Sequence, residues 1–135
     1  MNVPPNEWGM TVSQFKHFLE MCRNSDTWKE LSDSTDRGKA KGVVNGYQVN
    51  EHFVKPFTKN TGCSVALLYN NKKPLQADVM ISHAWSEDMV EVQTSIIDMV
   101  DRDPEQRGED LVIWFCIFGN YQAEHTHTLA RVLSH

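Results

Sequence analysis

The chain has 135 residues, 40% of them hydrophobic and 23% charged, with a formal net charge of −5. This length suits a single domain with a real core, and the composition is that of an ordinary globular protein. The acidic balance excludes a global basic field for nucleic acid or an anionic membrane, and the short basic stretch Arg37-Gly38-Lys39-Ala40-Lys41 reads as a solvated loop.

Residues 1–10 form an arm that contains two prolines. Thr11 then offers a helix N-cap, and Gln14, three residues on, offers the return bond of a capping box. Phe15, Phe18, Leu19 and Cys22 follow at the spacing of an amphipathic helix. Trp28 and Leu31 suit a second short helix. From Ser32 to Asn45 the chain is polar, carries two glycines and shows no periodicity, which predicts a long surface loop. Asn50 is the expected cap of a short helix carrying Phe53, Val54 and Phe57, made irregular by Pro56. Gly62 to Tyr69 is too short for periodicity to separate helix from strand. Asn70-Asn71-Lys72-Lys73-Pro74 is a turn.

Val79-Met80-Ile81 is a short, bounded apolar run and reads as a strand. Ser86 is the expected cap of the next helix, with Glu87 and Asp88 in its first turn. Met89, Val92, Ile96, Met99 and Val100 repeat at helical steps, and Pro104 and Gly108 close that helix. Leu111 to Phe118 is an unbroken run of eight apolar residues, expected to be a strand buried on both faces. Strand, helix, strand makes a βαβ unit. Glu124 to Ser134 suits a further helix. The expected fold is therefore α/β: one domain over 1–135, with a mostly helical segment over 1–73 and a small, mainly parallel, flavodoxin-like sheet core over 74–135.

Cys22, Cys63 and Cys116 are an odd, widely spaced set without a Cys-x-x-Cys pair, which argues against a disulfide scaffold or a zinc knuckle and for a reducing compartment. No stretch reaches the roughly twenty apolar residues of a membrane span, and the first residues lack a secretory pattern. A cytoplasmic protein is expected, without a membrane or nucleic-acid partner.

Ligands of open α/β sheets bind beyond the carboxyl ends of the strands, and both apolar runs end in polar residues. Ser82, His83 and Trp85 follow the first run: a hydroxyl, an imidazole that titrates near neutrality and an indole able to stack on a ring. Asn120 and Gln122 follow the second, offering amides that donate and accept. These five are the candidate ligand-binding residues, with local backbone capping and core packing as the plain alternative. Glu87 and Glu124 are the candidate catalytic carboxylates, each equally explained as a helix-start residue. His125 and His127 lack acidic or thiolate partners at ligand spacing, so no metal site is expected.

At these motifs the chain resembles the Toll/interleukin-receptor (TIR)-like superfamily in the broad sense that includes the heterokaryon-incompatibility (HET) domains. Val79-Met80-Ile81-Ser82-His83, with Glu87 and Asp88, is similar to the opening strand and acidic pair of TIR domains. Ile81-Ser82-His83-Ala84-Trp85 is similar to the Leu-Ser-aromatic/His-x-Trp sequence of HET domains, whose following strand pattern Trp114 and Gln122 also match. Cys116 stands where that pattern has Asp, and Asn120 is one place off. The likeness spans about residues 77–122, and the helix that carries the essential Glu of NAD-cleaving TIR domains has no counterpart there. The resemblance implies a signalling or self-assembly module with a protein partner or a second copy of itself. It also implies an NAD-like nucleotide at the strand ends, bound as ligand or substrate, with no resident cofactor. The alternatives are an NAD-nucleosidase-type hydrolase using Glu87 or Glu124, and an interaction domain without a ligand.

Overall fold

The computed structural model describes residues 7–35 and 38–120. The first elements are a two-residue strand β1 (Met10–Thr11) and helix α1 (Val12–Arg23), joined by the Thr11–Gln14 capping box. Thr11 Oγ1 accepts from Gln14 N at 3.1 Å and Gln14 Oε1 from Thr11 N at 3.0 Å. As the spacing predicts, α1 turns Phe15, Phe18, Leu19 and Cys22 inward, all buried. Helix α2 (Asp26–Asp33) is capped by Ser25 and carries Trp28 and Leu31 against the core edge.

A continuous helical stretch follows the loop. It begins as α3 (Gly46–Val49), passes through a π-helical turn (Asn50–Val54) and ends as α4 (Lys55–Thr58). Its cap is Asn45, not Asn50: Asn45 and Gln48 form a second capping box. Asn50 instead lies inside the helix and is buried. Gly62 to Tyr69 resolves as helix, α5 (Val65–Tyr69), capped by Ser64.

Strand β2 (Val79–Ile81) leads through a loop into α6 (Met89–Asp101), and β3 (Val112–Phe115) follows a short 3₁₀ turn. The βαβ unit is present, with β2 parallel to β3 and Val79 opposite Ile113. The helix cap is Asp88, whose Oδ1 accepts from Val90 N at 2.9 Å, and not Ser86. The sheet of the described residues has the order β1-β3-β2 and is mixed, not mainly parallel, because β1 pairs antiparallel with β3. Gly9 permits this entry, since a Cβ there would lie 2.5 Å from Val112 Cγ1 and 2.9 Å from the Leu75 carbonyl oxygen.

The second apolar run is also not one strand. It ends at Phe115 and turns into a single helical turn, α7 (Cys116–Gly119). Along β3 the burial alternates, with Ile113 and Phe115 covered and Val112 and Trp114 half-buried, so only one face is fully closed. The turn places Phe118 in the aromatic cluster with Phe15, Phe18 and Phe115. Gly119 lies close against the Trp114 indole, whose Nε1 would stand 2.6 Å from an added Cβ. Cys116, expected mid-strand, is instead the half-buried first residue of α7. One buried cluster joins α1, the helices that follow it and the sheet. The expected helix over 124–134 lies outside the described residues. Among the described residues no helix is long and apolar enough to cross a membrane.

Candidate functional site

The loop from Ser82 to Asp88 leaves the carboxyl end of β2 and is pinned at several points. Within it, Glu87 N donates to Ala84 O at 3.1 Å. The Glu87 carboxylate closes the same turn, Oε1 accepting from Ala84 N at 3.3 Å and Oε2 standing 3.0 Å from His83 Nδ1. The His83 ring rests beside Phe115, centroids 6.2 Å apart. From outside, Tyr47 N donates to Trp85 O at 3.2 Å and Met89 N to Val44 O at 2.9 Å. Contact this close requires glycine at 46, where a Cβ would meet Trp85 O at 2.9 Å and Trp85 Cα at 3.1 Å.

This docking of α3 onto the loop creates a groove of about 1040 Å³. Its volume is at the upper end of small-molecule sites. One wall is aromatic: the rings of Tyr47 and Trp85 lie 5.6 Å apart at 60°. Asn50 and His52, from the π-helical turn, line another part of the groove. Asn50 is only 5% exposed, and its Oδ1 is buried without a hydrogen-bond partner among the described residues. Among the described residues, the charged ones on the wall are two lysines, Lys39 and Lys55, and three carboxylates, Glu51, Asp88 and Glu91. Lys39 Nζ donates to the carbonyls of Ala40 and Val43, and Lys55 pairs with Glu51 at 2.8 Å.

Of the residues anticipated at the site, Trp85 lies on this wall and Ser82, His83, Glu87 and Asn120 do not. Ser82 is exposed beside it in sequence. The α7 turn separates Asn120 from the end of β3 by four residues, so Asn120 does not follow the strand directly. Gln122, Glu124, His125 and His127 lie outside the described residues. Among those described, no group of three or more His, Cys, Asp or Glu side chains is placed to hold a metal ion.

Tyr47, Asn50 and His52 were not among the expected site residues. The usable signal was Asn45-x-x-Gln48, a capping-box spacing that marks the start of α3; their meeting with Trp85 is a tertiary contact without a local signature.

A second cavity, about 370 Å³, lies between α6 and the start of β3 and includes Arg107 in its wall. That guanidinium is fully engaged. Nε and Nη2 donate to Asp103 at 2.9 and 3.0 Å, and Nη1 pairs with Glu105 at 3.1 Å and Asp78 at 3.3 Å. It fastens the chain rather than offering charge to a ligand.

Comparison of the chain with protein-family models, with curated proteins and with solved structures gives no match in any of the three.

Proposed function

We propose that this chain is a ligand-responsive signalling or self-assembly module of TIR/HET-like character, cytoplasmic, that binds a nucleotide such as NAD beside the carboxyl end of β2. The observation that carries the reading is Trp85. It lies on the loop that leaves β2, packs against Tyr47 and faces a groove large enough for a nucleotide. Strand-end loops are the usual ligand-bearing position of α/β sheets, and an indole on such a loop provides a stacking surface.

Titrating NAD and following the melting temperature tests this reading. NAD raises the melting temperature of the wild type, and Trp85→Ala reduces that rise. An unchanged rise in the variant removes Trp85 from the site, and the absence of any rise in the wild type overturns nucleotide binding. Self-assembly predicts light scattering that grows with protein concentration or on adding NAD; a strictly monomeric protein under both conditions refutes it.

A second reading, hydrolysis of a nucleotide that extends beyond the groove, is favoured by the His83–Glu87 pair, which stands on the same loop as Trp85 but off the groove wall. A carboxylate holding Nδ1 leaves the imidazole's Nε2 to serve as a base, the usual logic of a carboxylate-oriented histidine. In this geometry Glu87 positions His83. Release of nicotinamide from NAD, lost in His83→Ala, is the expected result under this reading, and no turnover at high protein concentration excludes it.

A further inference from the structure

We infer that the groove recognises the ring of its ligand rather than the phosphates: a planar nitrogen heterocycle, uncharged or cationic, whose edge carries hydrogen-bonding groups. The inference rests on the binding reading above and assigns Tyr47 and Asn50 to the same site as Trp85.

Three independent features of the groove point this way. The first is the aromatic wall, because two side-chain rings in contact give a flat ligand a surface on which to stack. Tyr47 is 50% exposed and Trp85 is half-buried, so the tyrosine in particular leaves surface available.

The second is Asn50. A buried acceptor without a partner is a net cost to the fold, yet Asn50 is a residue of the groove wall whose Oδ1, turned out of solvent contact, is unanswered among the described residues. An amide head turns about a soft torsion. It therefore offers either an acceptor or a donor to a ring edge bearing the complementary group, the pairing by which Asn reads adenine. The π-helical turn that holds Asn50 adds weight, since such turns concentrate at functional sites.

Charge is the third. Two lysines stand against three carboxylates, and both lysines are already engaged by groups of the protein. Among the described residues the groove lacks the cationic surplus that binds phosphate, whereas Glu91 and His52 on its wall suit a hydroxyl, an amine or a ring nitrogen. The phosphates of a nucleotide would then lie outside the groove and add little to affinity.

Calorimetric titration of the full chain with adenosine, NAD and inorganic pyrophosphate tests this. Adenosine binds with a Kd within about tenfold of that for NAD, and pyrophosphate neither binds nor competes. Tyr47→Ala weakens adenosine binding about tenfold, the scale of one lost stacking contact. Asn50→Leu weakens it similarly while leaving the melting temperature of the free protein unchanged or raised, because the amide has no partner to lose. If Asn50→Leu does not fold, Asn50 is structural and its assignment falls, while Tyr47→Ala still decides the ring site. If NAD binds and adenosine does not, or if adenosine binding survives Tyr47→Ala, the ring site is wrong and the nucleotide reading stands. If neither NAD nor adenosine binds, both fail.

Discussion

At the scale of single residues, the site depends on a few positions whose side chains, or lack of one, set distances. Gly46 is the sharpest. A Cβ there would stand 2.7 Å from Ile117 Cδ1, 2.9 Å from Trp85 O and 3.1 Å from Trp85 Cα. The isoleucine tip can rotate away, but the Trp85 backbone is held by the Tyr47 hydrogen bond and by the loop it belongs to. Alanine gains up to about 1 kcal/mol in helix propensity over glycine, whereas overpacking a fixed contact costs about 1–3 kcal/mol. The clash wins. Gly46→Ala is expected to lower stability by about 1–2 kcal/mol in urea denaturation and to shift the Trp85 loop, weakening any ligand that stacks there. A variant as stable as the wild type refutes the tight-contact account. The same contact explains what the sequence could disclose about the site. The place of Trp85 just beyond a strand end was legible because strand-end position is a local property, readable from an apolar run and its tail. Tyr47 and Asn50 were not, because they reach the groove only through a backbone contact between segments far apart in the chain.

At the scale of elements, helix α1 was readable because its signals agree: an N-cap, a capping box and a regular apolar stripe all describe the same helix. Its energetic centre is Phe15, fully buried, with ring centroids 5.4 Å from both Phe115 and Phe118. Phe15→Ala is expected to cost about 3–5 kcal/mol, while Met21→Ala, on the exposed side of the same helix, stays within about 0.5 kcal/mol. Chemical denaturation of both variants measures the contrast, and equal losses would contradict the packing described. Asn45→Ala should cost about 1 kcal/mol through its capping box. The run Leu111 to Phe118 shows why periodicity fails where both outcomes bury the same residues. Four residues of strand followed by one helical turn put Phe115 and Phe118 into one aromatic cluster, and an uninterrupted apolar run carries no mark of where the backbone changes. The mixed sheet was hidden for a related reason: β1 has two residues, too few for any pattern, and exists because Gly9 lets it approach β3.

For the whole molecule, the pH range of stability is set in part by how the crossover is fastened to the sheet. Arg107 gathers Asp103, Glu105 and Asp78. Asp78 in turn accepts from Val112 N through Oδ2 at 3.0 Å, while its own N donates to Val112 O at 2.9 Å. One guanidinium thus ties the end of the α6 connection to the parallel pair β2–β3. Hydrogen bonds from the Arg107 side chain, and then from the backbone N–H groups of Arg107 and Glu105, hold the Asp103 carboxyl well below its ordinary value of 3.8. A carboxyl depressed in the folded state contributes stability that is fully present above its unfolded pKa and is lost as pH falls from there toward the folded value. The loss therefore begins near pH 4 and deepens below it. The opposite edge involves Cys22, whose thiol burial pushes up to about 12 from 9.0. It contributes stability present below pH 9 that is lost as pH rises toward 12. Thermal melts of the wild type and Asp103→Asn across pH test the acid edge. The wild type is the more stable at neutrality by a margin constant above about pH 5, and that margin shrinks as the pH falls below 3.8, where Asp103 of the unfolded chain takes up its proton while the folded carboxyl stays ionised. A margin independent of pH down to 2 would mean that Asp103 fastens the crossover by shape and neutral hydrogen bonding, and that its charge contributes nothing.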